Sequence, residues 1–249
     1  ASKPSAATVG FDTEITNQWR GYPALRSTRA QEIFKRLMPG ILERLSHTAR
    51  PSEALLAFDR FLKGLPAGVQ LFSLFDANPQ LIDLLIDIVG SSPALSAHLA
   101  RNAGVFDAVI GGSFFAPWPQ IAALVSELTE VLGREPDYEK KLDMARKWAK
   151  EWHFRIGVHH LRGLIDAETS GREYAALAEA VLRGLWPVVV AQFASKHGAM
   201  PGRGAVVLGM GSLGAERLNA GSDLDLIVIY DAAGVEMSEG RRPLPARTY

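Results

Sequence analysis

The chain reads as mainly α with a small α+β part: helical bundles, followed near the C-terminal end by a short element that mixes strand and helix. Two observations predict this. Apolar residues recur at the i, i+3, i+4 spacing of an amphipathic helix through most of residues 29–197. From Ala205 the pattern changes to two apolar runs, Ala205–Leu208 and Leu224–Tyr230, joined through a Gly-Ser turn and a second turn rich in Asn, Gly and Ser.

The helical elements follow in order. Ile33, Phe34, Leu37, Met38, Ile41, Leu42 and Leu45 form one apolar stripe, which predicts a helix over residues 29–48. Pro51-Ser52-Glu53 starts the next, which runs through Leu62 and breaks at Gly64-Leu65-Pro66. Helical patterns then cover residues 68–75, 79–90, 93–101 and 105–110. The loop from Gly111 to Pro119 is the clearest internal break, with two Gly and two Pro in nine residues. Two long helices are predicted after it, at 138–167 and 172–197, and residues 198–204 form the hinge into the first strand. On this reading the domains are residues 1–117, a helical linker or regulatory region; 118–203, a helical lead-in; and 204–249, the mixed element. There is no 34- or 40-residue repeat, heptad run or low-complexity tract.

Composition narrows the function classes. The 249 residues carry 27 basic and 27 acidic side chains, so the balance gives no electrostatic case for nucleic acid or an anionic membrane. The chain has no Cys, which excludes disulfides and thiolate chemistry and fits the cytoplasm. The start at Ala1-Ser2-Lys3-Pro4 lacks a signal peptide's apolar core. Asp83 and Asp87 break the apolar stretch Leu81–Val89, so no segment is expected to span a membrane. With no initiator Met and an end at Arg247-Thr248-Tyr249, the chain is expected to be a piece of a larger protein.

The chemistry concentrates between Ala205 and Asp231. After the first apolar run, Gly209-Met210-Gly211-Ser212 offers backbone N–H groups and a hydroxyl to a phosphate, with the N-terminus of a short helix behind them. Asp223-Leu224-Asp225 then opens the second run. In a strand, side chains two apart share a face, so both carboxylates would point the same way. That suits a pair of hard divalent cations, which take oxygen ligands and sit ~3.5–4 Å apart in two-metal phosphoryl-transfer sites. The strand of Leu224, Leu226, Ile227, Val228 and Ile229 reads as buried, and metal would offset the cost of two acids at its mouth. These are the parts of an enzyme that transfers a nucleotide.

A dinucleotide fold is the sharper rival, because Gly209, Gly211 and Gly214 spell G-x-G-x-x-G and Asp231 falls near the ribose-binding position. The segment from Leu213 to Ser222 is too short for a βαβ crossover, however, and Asp223 and Asp225 would have no role. Elsewhere the bland reading prevails. His153, His159 and His160 share a helix with Glu151 but lack the zinc i, i+4 pair, and are read as helix-face or capping groups. Trp148 and Trp152 are packing residues, and Glu236 and Glu239 are exposed in a turn-like stretch.

Gly211-Ser212, ten residues, then Asp223-x-Asp225 is similar to the signature of the polymerase-β-like nucleotidyltransferases. Within them, GMGSLGAERLNAGSDLDLIVIYD resembles the glutamine synthetase adenylyltransferases. So do FDRFLKGLPAGVQLFSLFDANPQLIDLL, WHFRIGVHHLRGLID and EGRRPLPARTY. The resemblance covers nearly the whole chain and implies the central helical region plus the start of a truncated polymerase-β-like nucleotidyltransferase element. It implies a bifunctional enzyme with two nucleotidyltransferase domains, this being the C-terminal, adenylylating one. The reaction would be transfer from ATP to a tyrosine of glutamine synthetase, under control by the PII signalling protein and glutamine.

Carried over to this sequence, Asp223 and Asp225 would hold two Mg²⁺ ions, while Gly211, Ser212 and Ser222 would contact the nucleotide. The family often has Lys where Ser212 stands and Glu where Arg217 stands, so the roles of those positions are open. A third carboxylate is expected on a later strand, and nothing before Tyr249 fits it, so the chain is expected to be catalytically incomplete. Two further readings stand beside this one: a helical interaction module without catalysis, and a nucleotidyltransferase with another acceptor, such as a small-molecule drug or a tRNA end. The neutral charge disfavours tRNA.

Overall fold

The computed structural model describes residues 4–102, 104–110 and 112–249. Ala1 to Lys3, Ala103 and Gly111 lie outside the described residues, as do the side chains of Asp107 and Ile110, so the Ala1-Ser2-Lys3 start and the first residue of the Gly111–Pro119 break are not characterised. Helix accounts for 64% of the chain and the only sheet among the described residues has two antiparallel strands, in keeping with a mainly α body carrying a small β element. The chain divides into two compact units, one of residues 1–116 with 161–164, the other of residues 117–160 with 165–249.

The first unit holds α1 (Thr13–Gln18), α2 (Thr28–Ser46), α3 (Pro51–Gly64), α4 (Val69–Ala77), α5 (Gln80–Ser91), α6 (Pro93–Arg101) and α7 (Val105–Ile110). The predicted stripe on α2 is the buried one: Ile33, Phe34, Leu37, Ile41, Leu42 and Leu45 all face the core. Ser27 caps α2 by accepting the Ala30 amide proton at 3.1 Å, and Pro51 opens α3 at the position where its missing N–H costs nothing. Trp19 sits at the centre, edge-on to Phe34 and Phe58 with ring centroids 5.7 and 5.5 Å away. Its indole N–H donates to Asp59 Oδ1 at 2.9 Å, and the Tyr22 hydroxyl donates to the same oxygen at 2.8 Å. One carboxylate oxygen therefore satisfies two aromatic donors whose rings are committed to apolar packing.

The second unit holds α8 (Ile121–Gly133), α9 (Tyr138–Leu161), α10 (Ala167–His197), β1 (Gly204–Gly209), α11 (Gly211–Gly214) and β2 (Leu226–Asp231). Helix α8 has no counterpart in the sequence reading. It buries Leu124, Leu128 and Leu132 against α10, so closely that a Cβ on Gly184 would meet Leu128 Cδ2 at 2.7 Å. The predicted boundary between the two long helices also moves. α9 stops at Leu161, Gly163 turns the chain at φ +67°, and Asp166 caps α10 by accepting the Thr169 amide proton at 2.7 Å. Those bonds to Thr169 are also the main reason the Asp166 carboxyl lies below its ordinary pKa. Among the described residues one helix, α10, is long and apolar enough by length and composition to cross a membrane, with a third of its apolar window buried inside the protein.

The Asp59 contact generates a prediction. Burial first, then the Asp59 hydrogen bond and charge, push the Tyr22 pKa from 10.0 to about 12. A raised pKa means that this stability is fully present below pH ~10 and is lost as pH rises toward ~12, where only the unfolded chain releases the proton easily. Asp59→Ala leaves two donors without an acceptor and should cost about 2–3 kcal/mol; Asp59→Asn keeps Oδ1 and should cost roughly half that. Urea unfolding and an ultraviolet tyrosinate titration check both points, and equal losses for the two variants would contradict the assignment.

Candidate functional site

The two strands pair antiparallel, with Val206 opposite Ile229, Val207 opposite Val228 and Leu208 opposite Ile227. Antiparallel pairing excludes a dinucleotide βαβ unit, whose strands are parallel. The three glycines that suggested one have a steric explanation instead. A Cβ on Gly209 would meet Leu213 Cγ at 3.0 Å, one on Gly214 would meet the Gly209 carbonyl oxygen at 2.5 Å, and one on Gly211 would lie 2.6 Å from Asp225 Oδ2. Gly211 also takes φ +52°, a conformation other residues adopt at a cost. The spacing is what a one-turn helix needs to fold back on its own strand.

Pairing continues one residue beyond the strands, where the Met210 amide donates to the Asp225 carbonyl at 2.8 Å. This contact and the glycine set Asp225's carboxylate against the Gly211 backbone. The structure thus brings together the Gly-Ser turn and the second Asp of the Asp-x-Asp pair, fifteen positions apart in sequence by 225 − 210 = 15. Asp223 lies two residues back along the same segment, ahead of β2 rather than within it, since the strand begins at Leu226 and not at 224. Ser212 is exposed in α11, and its carbonyl accepts the Arg217 amide proton at 2.9 Å. Ser222 lends its hydroxyl to the turn before the Asp pair: Oγ accepts the Asn219 amide proton at 2.9 Å, and Asn219 Oδ1 accepts that of Gly221 at 2.9 Å.

The expected burial of the second apolar run does not hold. Ile227, Val228 and Ile229 are 46%, 54% and 51% exposed, because β2 has one neighbouring strand and no layer of the described residues covers the Val206, Leu208, Ile227, Ile229 face. Asp223 and Asp225 are exposed as well, so no burial penalty waits to be offset by metal. No three His, Cys, Asp or Glu side chains converge among the described residues. Glu236 and Glu239 are exposed, as the turn-like composition implies.

What holds the loop is the helical layer beside it. Leu213 and Leu218, at the two ends of the segment that follows the Gly-Ser turn, belong to the apolar core made by Leu124, Leu128, Trp148 and Tyr174. Beneath them, Trp148 Nε1 donates to Glu127 Oε1 at 2.7 Å. Arg155 and Glu173 are 8% and 7% exposed, and the Arg155 guanidinium stacks over the Trp152 ring at 4.9 Å. Burial pushes the Glu173 carboxyl up, and the nearby Arg155 charge pulls it partly back. A groove of about 980 Å³ runs between α10 and the inner side of β1, with Trp118, Arg172, Trp186 and Val207 among its walls. Gly209 and Gly214 line it, but Gly211, Ser212, Asp223 and Asp225 do not. This groove is therefore not where the candidate chemistry lies.

Comparison with known proteins bears on the same residues. The family model for glutamate-ammonia ligase adenylyltransferase matches residues 82–249. A bifunctional glutamine synthetase adenylyltransferase/adenylyl-removing enzyme of Mesorhizobium japonicum is 40% identical over 229 residues, covering 92% of this chain and 23% of the relative. Its namesake from Xanthobacter autotrophicus is 40% identical over 231 residues, again 92% of this chain and 23% of the relative. That of Agrobacterium fabrum is 37% identical over 251 residues, 98% of this chain and 25% of the relative. The chain spans about a quarter of the length of the curated relatives it matches.

Two neighbouring positions in this loop should respond to substitution with opposite sign. Gly211→Ala adds both the positive-φ cost, ~1–2 kcal/mol, and a contact that expels the Asp225 carboxylate. Glu216 is exposed at φ +54° with a side chain, so Glu216→Gly should stabilise by about 0.5–1 kcal/mol. Chemical unfolding of the two variants checks the pair; a neutral Gly211→Ala or a destabilising Glu216→Gly would contradict this local geometry.

Proposed function

The chain belongs to the glutamate-ammonia ligase adenylyltransferase family, and from that premise we propose that residues 204–249 begin a polymerase-β-like nucleotidyltransferase domain, with helical regions at 1–117 and 118–203 ahead of it. The reaction is transfer of AMP from ATP to a tyrosine hydroxyl of glutamine synthetase, the target that the relatives' names give. This domain is the adenylylating half of a bifunctional enzyme, and the helical regions carry the responses to PII and glutamine. The observation that carries the proposal is the seating of Asp225's carboxylate on Gly211, which joins the Gly-Ser turn to the Asp-x-Asp pair.

The donor set fits magnesium: Asp223 and Asp225 supply hard, exposed oxygen ligands on the short segment that leads into β2. When bound, two Mg²⁺ ions would neutralise charge on the reacting phosphate and lower the acceptor hydroxyl's pKa from its ordinary ~10. Gly211 and Ser212 orient the triphosphate with a backbone N–H and a hydroxyl at the turn. Because α11 has only four residues, its dipole adds little, and hydrogen bonds from the turn matter more. Ser222 contributes by holding the Asn219–Ser222 turn in shape. The tyrosine oxygen attacks the α-phosphorus in line and pyrophosphate leaves.

On this reading the third carboxylate of the signature has no match among residues 1–249. The helical bulk of the chain favours a second reading, an interaction module without catalysis.

Asparagine substitutions in the full-length enzyme separate the two. Asp223→Asn and Asp225→Asn keep side-chain shape and remove charge, so each should lower adenylylation by two or more orders of magnitude, about 3 kcal/mol or more. Melting temperatures should hardly move, because both acids are exposed. Removal of AMP should survive. Unchanged AMP addition supports the module instead, and loss of AMP removal alone means that the half is misassigned.

A further inference from the structure

Between the Gly-Ser turn and the Asp-x-Asp pair the chain crosses a loop, Ala215–Ser222, whose internal hydrogen bonds fix its shape but not its place. Three contacts from the helical layer fix its place. Leu218 is buried in the α8–α9–α10 core. Gly171, in the first turn of α10, lies so close that a Cβ there would meet Leu218 O at 3.3 Å, Arg217 Cα at 3.4 Å and Glu216 O at 3.5 Å. A helix backbone thus lies directly against a loop backbone, close enough that an added Cβ would press on the Leu218 carbonyl. From α9, the ring of His153 packs on Tyr174 at 4.6 Å, with the Ala220 backbone carbonyl near its imidazole. Ala220 lies inside the Asn219–Ser222 turn, three residues before Asp223.

We propose that His153 and Gly171 are positioning residues: from two different helices they pin the Glu216–Ser222 loop and so set where Asp223 and Asp225 stand relative to Gly211. Neither touches the reacting atoms. The helices supply a rigid base for an otherwise exposed two-carboxylate segment, as a preorganised site requires. Burial outweighs the effect of the Ala220 carbonyl and lowers the His153 pKa, which favours the neutral ring with one N–H to offer that carbonyl. An amide side chain can replace that donor; a methyl cannot.

The proposal rests on the nucleotidyl-transfer reading for its consequence, but its test needs neither metal nor nucleotide. Hydrogen exchange would be followed at the amides of Asn219, Gly221 and Ser222 in the 249-residue chain, with those of Leu124–Leu132 in α8 as the internal reference. His153→Ala and Gly171→Ala should each speed exchange in the loop about tenfold or more while leaving α8 unchanged. His153→Asn or His153→Gln should restore most of the protection. Leu128→Ala, which opens a cavity in the shared core, should speed both regions together. Loop exchange unchanged in both alanine variants would overturn the proposal. So would uniform acceleration of loop and α8, as in Leu128→Ala, or failure of both amide variants to rescue. If the loop responds as stated while Asp223→Asn leaves adenylylation intact, the positioning stands and the catalytic reading falls.

Discussion

The second unit depends on one shared apolar core. α8, α9 and α10 contribute Leu124, Leu128, Trp148, Ile156, Tyr174 and Leu177, and the loop after β1 adds Leu213 and Leu218 to the same cluster. Each buried leucine contributes about 1.5–3 kcal/mol. The core thus anchors an exposed ribbon that could not hold its place alone, since a two-stranded hairpin is marginal in water. Arg155 and Glu173 are buried beside this core, and the Arg155 charge pulls the Glu173 carboxyl partly back from the rise that burial imposes on it.

Much of this was legible in the residues. The stripe on α2, the Pro51 start of α3 and the break at Gly64 follow from period and punctuation. Helix α8 escaped because Ile121-Ala122-Ala123-Leu124-Val125 is apolar nearly all round and no side chain caps it, so neither stripe nor cap marks its start. The α9–α10 boundary was misplaced although Gly163 and Asp166 carry ordinary end and start signals. There the helical pattern was extended through them.

The strand burial was misread for a deeper reason. Val, Ile and Leu in a run show what a strand could bury, and composition says nothing about what lies over it. The site was readable as a motif and unreadable as geometry. Gly211 and Asp225 were both singled out, but their contact is a property of the turn. The Ser222 hydroxyl also closes the Asn219–Ser222 turn, which the motif alone does not reveal. His153 was set aside as a helix-face residue, because no local pattern links it to Ala220, 67 positions away by 220 − 153 = 67.

The central proposal is that Asp223 and Asp225, the latter set against Gly211, hold divalent cations. Titrating Mn²⁺ into the isotopically labelled 249-residue protein and following paramagnetic broadening of backbone resonances tests it directly. The account predicts that Gly211, Ser212 and residues 223–225 broaden first and together, and that Asp225→Asn abolishes the effect. Broadening centred elsewhere, such as on Glu236 and Glu239, or none at millimolar Mn²⁺, would contradict it.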